Sequence, residues 1–290
     1  MRYPAYLIFL VLVGIGIPGL AAKNDSTDKD TGGLGISGSG ISVERTRFKI
    51  KTKDGHFLEP KELIGATFNF RDKSGKPLRV RLDGFINDPR DPTGEVLLYD
   101  FTYANAAGER QNICPPGPDG LTKAFPMSGK WTADLRHIPD EKTFNLICTA
   151  GALGKCVRFG FKPWGDNLPD GTSRWDLHQA CSRAVRADYC GMGEGTTKNG
   201  TLIDIWDRYG VNPPDPAGDA EHRLSFEAAF SPEGAVCVAR TRIPESATVE
   251  SLAKTCPRLV GKLGKACDED EVKKNPKAFI FIKSKDLLQK

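Results

Sequence analysis

Eight cysteines constrain what this 290-residue chain can fold into more than any other feature. They are Cys114, Cys148, Cys156, Cys181, Cys190, Cys237, Cys256 and Cys267. All of them follow an apolar N-terminal segment, and no two have the CxxC spacing of zinc ribbons or thioredoxin-like redox motifs. In an oxidising compartment an even set of this kind predicts four disulfide bonds, and it indicates neither a metal site nor a cofactor.

The pairing of these cysteines is open at the level of sequence, because eight thiols can combine in many ways. Local spacing favours a bond between Cys256 and Cys267. The proximity expected of neighbouring strands favours a bond between Cys114 and Cys148.

The N-terminal segment has the anatomy of a secretory signal peptide. A positively charged start at Arg2 precedes an apolar run from Tyr6 to Ile17, and the small residues Gly19 and Ala21 provide a cleavage site. We therefore expect residues 1–21 to be removed and the mature protein to be secreted or periplasmic. The alternative is an uncleaved membrane anchor. No later stretch is apolar enough to span a bilayer, so no transmembrane segment is expected after cleavage.

The remaining chain divides by composition into three parts. Residues 22–42 are rich in Gly, Ser and Asp and predict a flexible linker. Residues 43–165 alternate apolar and polar side chains between tight turns, as at Leu78, Val80 and Leu82, which predicts a β-rich N-terminal half. Residues 166–290 predict an α+β C-terminal half. The sequence leaves open whether the two halves form one domain.

Two helices are predicted in the C-terminal half. Ser173 can cap a principal helix over residues 174–187, whose apolar side chains share one face. Thr248 can cap a short helix over residues 249–256, which Pro257 ends. The expected fold class is α+β, mainly antiparallel β, stabilised by disulfides.

Charge excludes several classes of protein. A net charge of +4 with 27% charged residues and four tryptophans fits neither a polycationic nucleic-acid binder nor a disordered chain. Residues 254–290 carry ten basic and five acidic side chains. This basic C-terminal end is a candidate for a weak, salt-dependent contact with an acidic envelope surface. No other partner is indicated.

Three stretches resemble one protein family. They are residues 154–164 (GKCVRFGFKPW), 178–191 (HQACSRAVRADYCG) and 231–242 (SPEGAVCVARTR). Together they are similar to the ADYC-domain proteins of bacteria, named for the Ala-Asp-Tyr-Cys string that stands here at residues 187–190. The resemblance extends from about Leu63 to Cys267. It implies an exported bacterial protein of a family without an assigned activity, so it implies no catalytic residues.

One candidate catalytic set lies in this region. His178 and Cys181 are three residues apart on the predicted principal helix, and Asp188 follows it. A thiolate, an imidazole and an orienting carboxylate would form a nucleophilic set. The alternative is structural: Cys181 forms a disulfide, and His178 packs or hydrogen-bonds locally.

A candidate binding set overlaps with it. Arg183, Arg186 and Tyr189 could hold an anionic group, because guanidinium forks match carboxylate and phosphate oxygens. The alternative is an internal Arg–Asp pair with Asp188 that stabilises the end of the helix.

The functional hypothesis is an exported, non-catalytic binding or envelope-interaction module, because no convincing catalytic set emerges. The alternative is an extracellular hydrolase or thiol enzyme centred on His178, Cys181 and Asp188. The two differ in one observable: the thiol enzyme needs Cys181 unpaired.

Overall fold

The computed structural model describes the backbone of residues 15–16, 41–71 and 77–285, and the side chains of residues 41–70 and 77–285. The chain forms two compact units, residues up to 131 with 138–154, and residues 132–137 with 155–290. The predicted leader and linker lie outside the described residues, apart from Ile15–Gly16 and a strand that begins at Ile41.

The first unit is built on antiparallel strands. The strands up to residue 148 are β1 (Ile15–Gly16), β2 (Ile41–Glu44), β3 (Arg47–Ile50), β4 (Thr67–Arg71), β5 (Pro77–Asn87), β6 (Leu97–Ala104), β7 (Arg110–Asn112), β8 (Ala124–Ser128), β9 (Lys130–Trp131), β10 (His137–Ile138) and β11 (Phe144–Cys148). The main sheet has the order β1-β4-β5-β6-β8-β11, with β7 also paired to β6. The pairs β2-β3 and β9-β10 form two small sheets, and Pro60–Leu63 forms a 3-10 turn.

Alternation along these strands builds an aromatic core. Phe68 and Phe70 on β4 and Phe101 on β6 point to the same buried face. Phe48 of β3 packs on Phe68, with ring centroids 5.2 Å apart, and on Phe144 at 5.5 Å. The Phe48–Phe144 contact is edge-to-face, and such a contact stabilises an aromatic pair beyond the area that it buries. The other face of β5 is polar, as expected for a sheet with one solvated side.

The second unit is a four-stranded antiparallel sheet with helices. Its elements, with the helix that leads into it, are α1 (Ala152–Arg158), α2 (Arg174–Arg186), β12 (Ile203–Asp207), α3 (Pro216–His222), β13 (Leu224–Ser231), β14 (Gly234–Val238), α4 (Val249–Thr255), α5 (Glu269–Lys273) and β15 (Ile280–Lys285). The 3-10 turns Pro257–Leu259 and Gly264–Ala266 follow α4. The strand order is β12-β15-β13-β14, and α2 packs on β13, β14 and β15.

This sheet is buried on both faces. One cross-strand row joins Trp206, Phe281, Ala229 and Cys237, which belong to a common apolar cluster. The adjacent row is also buried, so the side chains of β13 from Glu227 to Ser231 are buried without alternation.

The α+β class and the two predicted helices are confirmed, at Arg174–Arg186 and Val249–Thr255. The helices α1, α3 and α5 were not predicted. These helices have five to seven residues, too few to show an amphipathic period. No helix among the described residues is both long and apolar enough to cross a bilayer.

All eight cysteines lie in the described part of the chain, where they form four disulfides. They are Cys114–Cys148, Cys156–Cys181, Cys190–Cys256 and Cys237–Cys267. The expected Cys114–Cys148 bond is confirmed, and the expected Cys256–Cys267 bond is wrong. The Val238 N–H donates to the Lys262 carbonyl at 3.0 Å. This contact lays the segment before Cys267 along β14, and Cys267 therefore meets Cys237.

Candidate functional site

The helix α2 carries most of the predicted site residues, and local signals determine its ends. The Ser173 hydroxyl accepts a hydrogen bond from the Trp175 N–H at 3.2 Å, which caps the N-terminus. Ala187 takes the left-handed conformation, with φ of 52°, and the Asp188 N–H donates to the Arg183 carbonyl. This reversal ends the helix and turns the Ala-Asp-Tyr-Cys string back towards the sheet.

The predicted nucleophilic set is not assembled. The Cys181 sulfur is bonded to Cys156, so it offers no thiolate. His178 is buried, its carbonyl accepts a hydrogen bond from the Ser182 hydroxyl at 2.9 Å, and its ring meets the Trp175 ring edge-on at 5.9 Å. The Asp188 carboxylate takes part in a different network.

Asp188 organises the loop that follows α2. Its Oδ1 accepts from the N–H groups of Gly191 and Met192 at 3.0 and 3.1 Å, and its Oδ2 accepts from the N–H of Gly193 at 2.9 Å. The Arg183 Nη1 donates to the same Oδ2 at 2.5 Å. Four donors therefore surround one fully buried carboxylate, as a buried charge requires.

The arginines of the predicted binding set are used internally. The Arg183 side chain is 1% exposed, and besides Asp188 it donates to the carbonyls of Pro232 and Asp134. The internal Arg–Asp pair, given above as the alternative to an anion-binding site, is therefore present between Arg183 and Asp188. Arg186 is partly buried and donates to the Gly193 carbonyl at 2.7 Å. Burial lowers the pKa of Arg186, and the nearby Asp188 charge opposes that shift.

Tyr189 belongs to a second buried network. Its hydroxyl donates to Oε1 of Glu227 at 2.9 Å and accepts from the Arg242 N–H at 2.8 Å. The Arg242 guanidinium binds Glu227 through two donors, Nε at 2.9 Å and Nη2 at 3.0 Å. Ser284 on β15 donates to the same carboxylate. Burial raises the pKa of Tyr189 well above its ordinary value, and the Glu227 charge adds to the shift.

Sequence reasoning missed Glu227 and Arg242. The available signal was a single acidic residue in the apolar strand Leu224–Phe230, which calls for a buried cationic partner. Arg242 also donates to the carbonyls of Ala184 and Val185. It therefore ties the C-terminal end of α2 to the sheet.

Two glycines allow the string to touch the β13-β14 turn. A Cβ on Gly191, whose φ is +74°, would lie 1.7 Å from the Glu233 carbonyl oxygen. A Cβ on Gly234 would lie 2.9 Å from the Gly191 Cα. Only glycine fits at this approach. The Ala235 N–H donates to the Tyr189 carbonyl at 2.9 Å, and the Cys190–Cys256 bond also holds this loop.

A cleft of about 870 Å³ opens beside this loop, within the second unit. It is lined by Thr172, Asp176, Ser231, Pro232, Glu233, Ala235, Val236, Cys237, Arg258, Lys262, Ala266, Asp268, Glu271, Val272, Asn275, Pro276, Lys277 and Phe279. The Arg258 Nη1 donates to the Tyr189 carbonyl at 3.4 Å, so the family string contacts one wall of the cleft.

The cleft carries charges of both signs. Asp176 and Glu233 supply carboxylates, and Arg258 and Lys262 supply cations. Burial raises the pKa of Asp176, and the Glu233 charge raises it further. Burial lowers the pKa of Arg258, and Glu233 opposes that shift. Such a surface suits a ligand that also carries both signs of charge. Among the described residues, no group of His, Cys, Asp or Glu side chains converges as a metal site.

Comparison with known proteins agrees with the resemblance seen in the sequence. The ADYC domain family model matches residues 60–244, well over half of the chain. The match contains α2 and the string at 187–190, and it ends before Cys256, Cys267 and β15. A comparison with curated proteins and with solved structures finds no match.

Proposed function

The chain belongs to the ADYC domain family, and from that premise we propose that it is an exported, non-catalytic binding module that holds its ligand in the cleft of the second unit. The observation that carries this proposal is how the Ala-Asp-Tyr-Cys string at residues 187–190 packs in the second unit. Its polar side chains are turned inward and paired, and its loop supports one wall of a cleft that lies open to solvent. The string therefore serves to shape a surface.

The thiol-enzyme alternative is less well supported by the geometry. The Cys181 sulfur is bonded, and the Asp188 carboxylate orients a loop and an arginine, not an imidazole. A nucleophile activated in the manner of a Cys–His pair needs both groups free.

The ligand that best fits the cleft is an extended peptide with charged side chains of both signs. A volume of about 870 Å³ lies within the usual range of ligand pockets. Four acidic and three basic side chains line it, and Val236 and Phe279 add apolar surface. A peptide can meet such a mixture with alternating side chains.

Export rests on two supports. Residues 1–21 have the pattern of a cleavable leader, and four disulfides are typical of proteins that fold in an oxidising compartment. We place the mature protein outside the cytoplasm, secreted or periplasmic. The predicted linker over residues 22–42 gives up its last two residues to β2, which begins at Ile41. The basic C-terminal end remains a candidate for weak contact with an acidic envelope surface, although Lys273, Lys274 and Lys283 already pair with carboxylates.

Non-reducing peptide mapping by mass spectrometry of the exported protein tests the compartment and the absence of a free thiol. We expect an N-terminus at Ala22, four disulfide-linked peptide pairs and no iodoacetamide label on the native protein. The reduced and unfolded protein serves as the control and should take a label on every cysteine. Labelling of Cys181 in the native protein would favour the thiol enzyme.

Selection from a random dodecapeptide display library on the oxidised full-length protein tests the cleft. Enriched peptides are then titrated by calorimetry against the wild type, Lys262→Glu inside the cleft, and Lys254→Glu, the matched charge change outside it. We expect at least about tenfold weaker binding to Lys262→Glu and little change for Lys254→Glu. Equal affinity for the two variants, or no enriched peptide, contradicts the proposal.

A further inference from the structure

Three arginines surround a groove on the first unit, which contains none of the residues of the cleft described above. Arg79 and Arg81 lie on β5, and Arg110 lies on β7. The groove has a volume of about 640 Å³. Its lining includes the three arginines together with Thr67, Ala104 and Ala106.

The strand register brings these arginines together on the polar face of the sheet. Arg81 pairs with Thr102 of β6, and Ala104, two residues further along β6, pairs with Arg110. The same register places Arg79 opposite Ala104. Arg79 and Arg110 therefore flank a small side chain, and Arg81 stands about 7 Å along the strand from Arg79. The short Ala104 side chain leaves space above it for a ligand.

Two of the three guanidiniums, those of Arg81 and Arg110, share the Asp83 carboxylate. The Arg81 Nε lies 3.5 Å from Oδ1 of Asp83, and the Arg110 Nη2 lies 3.2 Å from Oδ2. Within the described part of the chain, the Arg79 side chain has no ion pair or hydrogen bond. The Arg81 and Arg110 side chains are 46% and 44% exposed. The three arginines and Asp83 together carry a net charge of +2 within reach of solvent, and Asp83 orders two of the three side chains. The Glu109 carboxylate accepts from the Asn105 amide at the rim, so the groove stays positive overall.

We propose that this groove binds a small sugar phosphate, with the phosphate among the three arginines. A phosphate monoester carries up to two negative charges and three acceptor oxygens, which match the net charge and the number of guanidiniums better than a carboxylate does. Arginine forks bind such groups through paired N–H donors. The Thr67 hydroxyl supplies a hydrogen-bonding group for a sugar hydroxyl, and Ala104 and Ala106 supply apolar contact. The Thr102 hydroxyl donates to Asp83 and accepts from Arg110, and the Asn105 amide is bonded to Glu109, so these two side chains help to fix the walls of the groove. This site lies in the other unit from the peptide cleft, so either proposal can fail alone.

Calorimetric titration of the oxidised full-length protein with glucose 6-phosphate at low ionic strength tests the groove. Arg79→Gln should weaken binding by about tenfold to a hundredfold, because one charge-assisted pair is lost. Arg79→Lys should also weaken it, since an ammonium keeps the charge but lacks the fork. The control Arg90→Gln removes an exposed charge from the same unit outside the groove and should change affinity less than about twofold.

Glucose and inorganic phosphate test the sugar contacts and the phosphate contacts separately. Glucose should not bind measurably, and inorganic phosphate should bind more weakly than glucose 6-phosphate. Absence of glucose 6-phosphate binding at millimolar concentration overturns the site. Equal losses in Arg79→Gln and Arg90→Gln would show unspecific attraction by net charge, and equal affinity for inorganic phosphate would overturn the sugar contacts. Each variant changes an exposed side chain, and its thermal melting curve verifies the fold.

Discussion

Replacing Tyr189 with Phe removes one oxygen from the middle of the second buried network. The ring stays, so the apolar packing against Phe230, whose ring centroid lies 5.9 Å away, is retained. Two hydrogen bonds are lost, one donated to the Glu227 carboxylate and one accepted from the Arg242 N–H. The change therefore isolates the polar contribution of the string's tyrosine.

The expected cost follows from these two bonds. A hydrogen bond to a charged group contributes about 1.5–3 kcal/mol, and a buried N–H left without a partner costs about 1–3 kcal/mol. Glu227 keeps its contacts with Arg242 and Ser284, so its charge is not stranded. Because such contributions are not additive, we expect the free energy of unfolding to fall by about 2–4 kcal/mol.

Urea unfolding of the oxidised protein, followed by tryptophan fluorescence, measures this loss. Trp164, Trp175 and Trp206 lie in the second unit, so the signal reports mainly on it. Tyr209→Phe is the matched control, because the Tyr209 hydroxyl also makes two hydrogen bonds, to Asp170 and Thr172, each 3.0 Å long, but at a half-buried position. We expect the control to cost less than about 1 kcal/mol.

The comparison separates burial from the number of hydrogen bonds. A loss below about 1 kcal/mol in Tyr189→Phe, or equal losses in the two variants, would refute the reasoning that the string's tyrosine stabilises the unit through a desolvated network.

Three other outcomes follow from the same structure. Gly191→Ala should lower the free energy of unfolding, measured by calorimetry, by more than about 3 kcal/mol, because its Cβ would strike the Glu233 carbonyl. The control Gly200→Ala has a φ of +84° but open space around it, and should cost about 1–2 kcal/mol. Similar losses in the two variants would contradict the close approach at Gly191. A chain ending at residue 244 should give a poorly dispersed NMR spectrum for the second unit, because it lacks β15 and the partners of Cys190 and Cys237; a dispersed spectrum would show that these are dispensable. Carbon-detected NMR titration should place the Asp176 pKa above its ordinary range, and lower in Glu233→Gln, because burial and then the Glu233 charge raise it. Protonated Asp176 therefore contributes its full stabilisation below the ordinary aspartate pKa, and this contribution is lost as the pH rises through the raised pKa. An Asp176 pKa at or below the ordinary range would refute this reasoning.

Local signals were readable in the sequence. The helix α2 was predicted to within one residue, because Ser173 and the apolar spacing lie within a few positions of each other. The Arg183–Asp188 pair could be considered from the sequence because the two residues are only five positions apart. The short helices α3 and α5 were missed although each begins with a capping residue, Asp215 before Pro216 in α3 and Asp268 in α5.

Contacts between distant residues were not readable. Glu227 meets Arg242 and Tyr189 only once β13 pairs with its neighbours and α2 packs on the sheet. The cleft depends in the same way on Arg258, which lies 69 residues from Tyr189. A sequence pattern indicates which buried polar side chains need a hydrogen-bonding partner, but it does not identify a partner that is distant in the chain.

The connectivity of the disulfides has a consequence for biogenesis. Cys190–Cys256 and Cys237–Cys267 interleave along the chain, so each bond spans one cysteine of the other. Closing a short loop costs less entropy than closing a long one. If the cysteines are oxidised in the order in which the chain reaches the oxidising compartment, bonds between neighbours such as Cys256 and Cys267 are therefore favoured. That mispairing is the bond that spacing alone suggested.

Reaching the native bonds from such a state requires thiol–disulfide exchange, which is slow without a catalyst. We therefore expect the reduced chain to reach its native disulfides faster with a disulfide isomerase and an oxidant than with an oxidant alone.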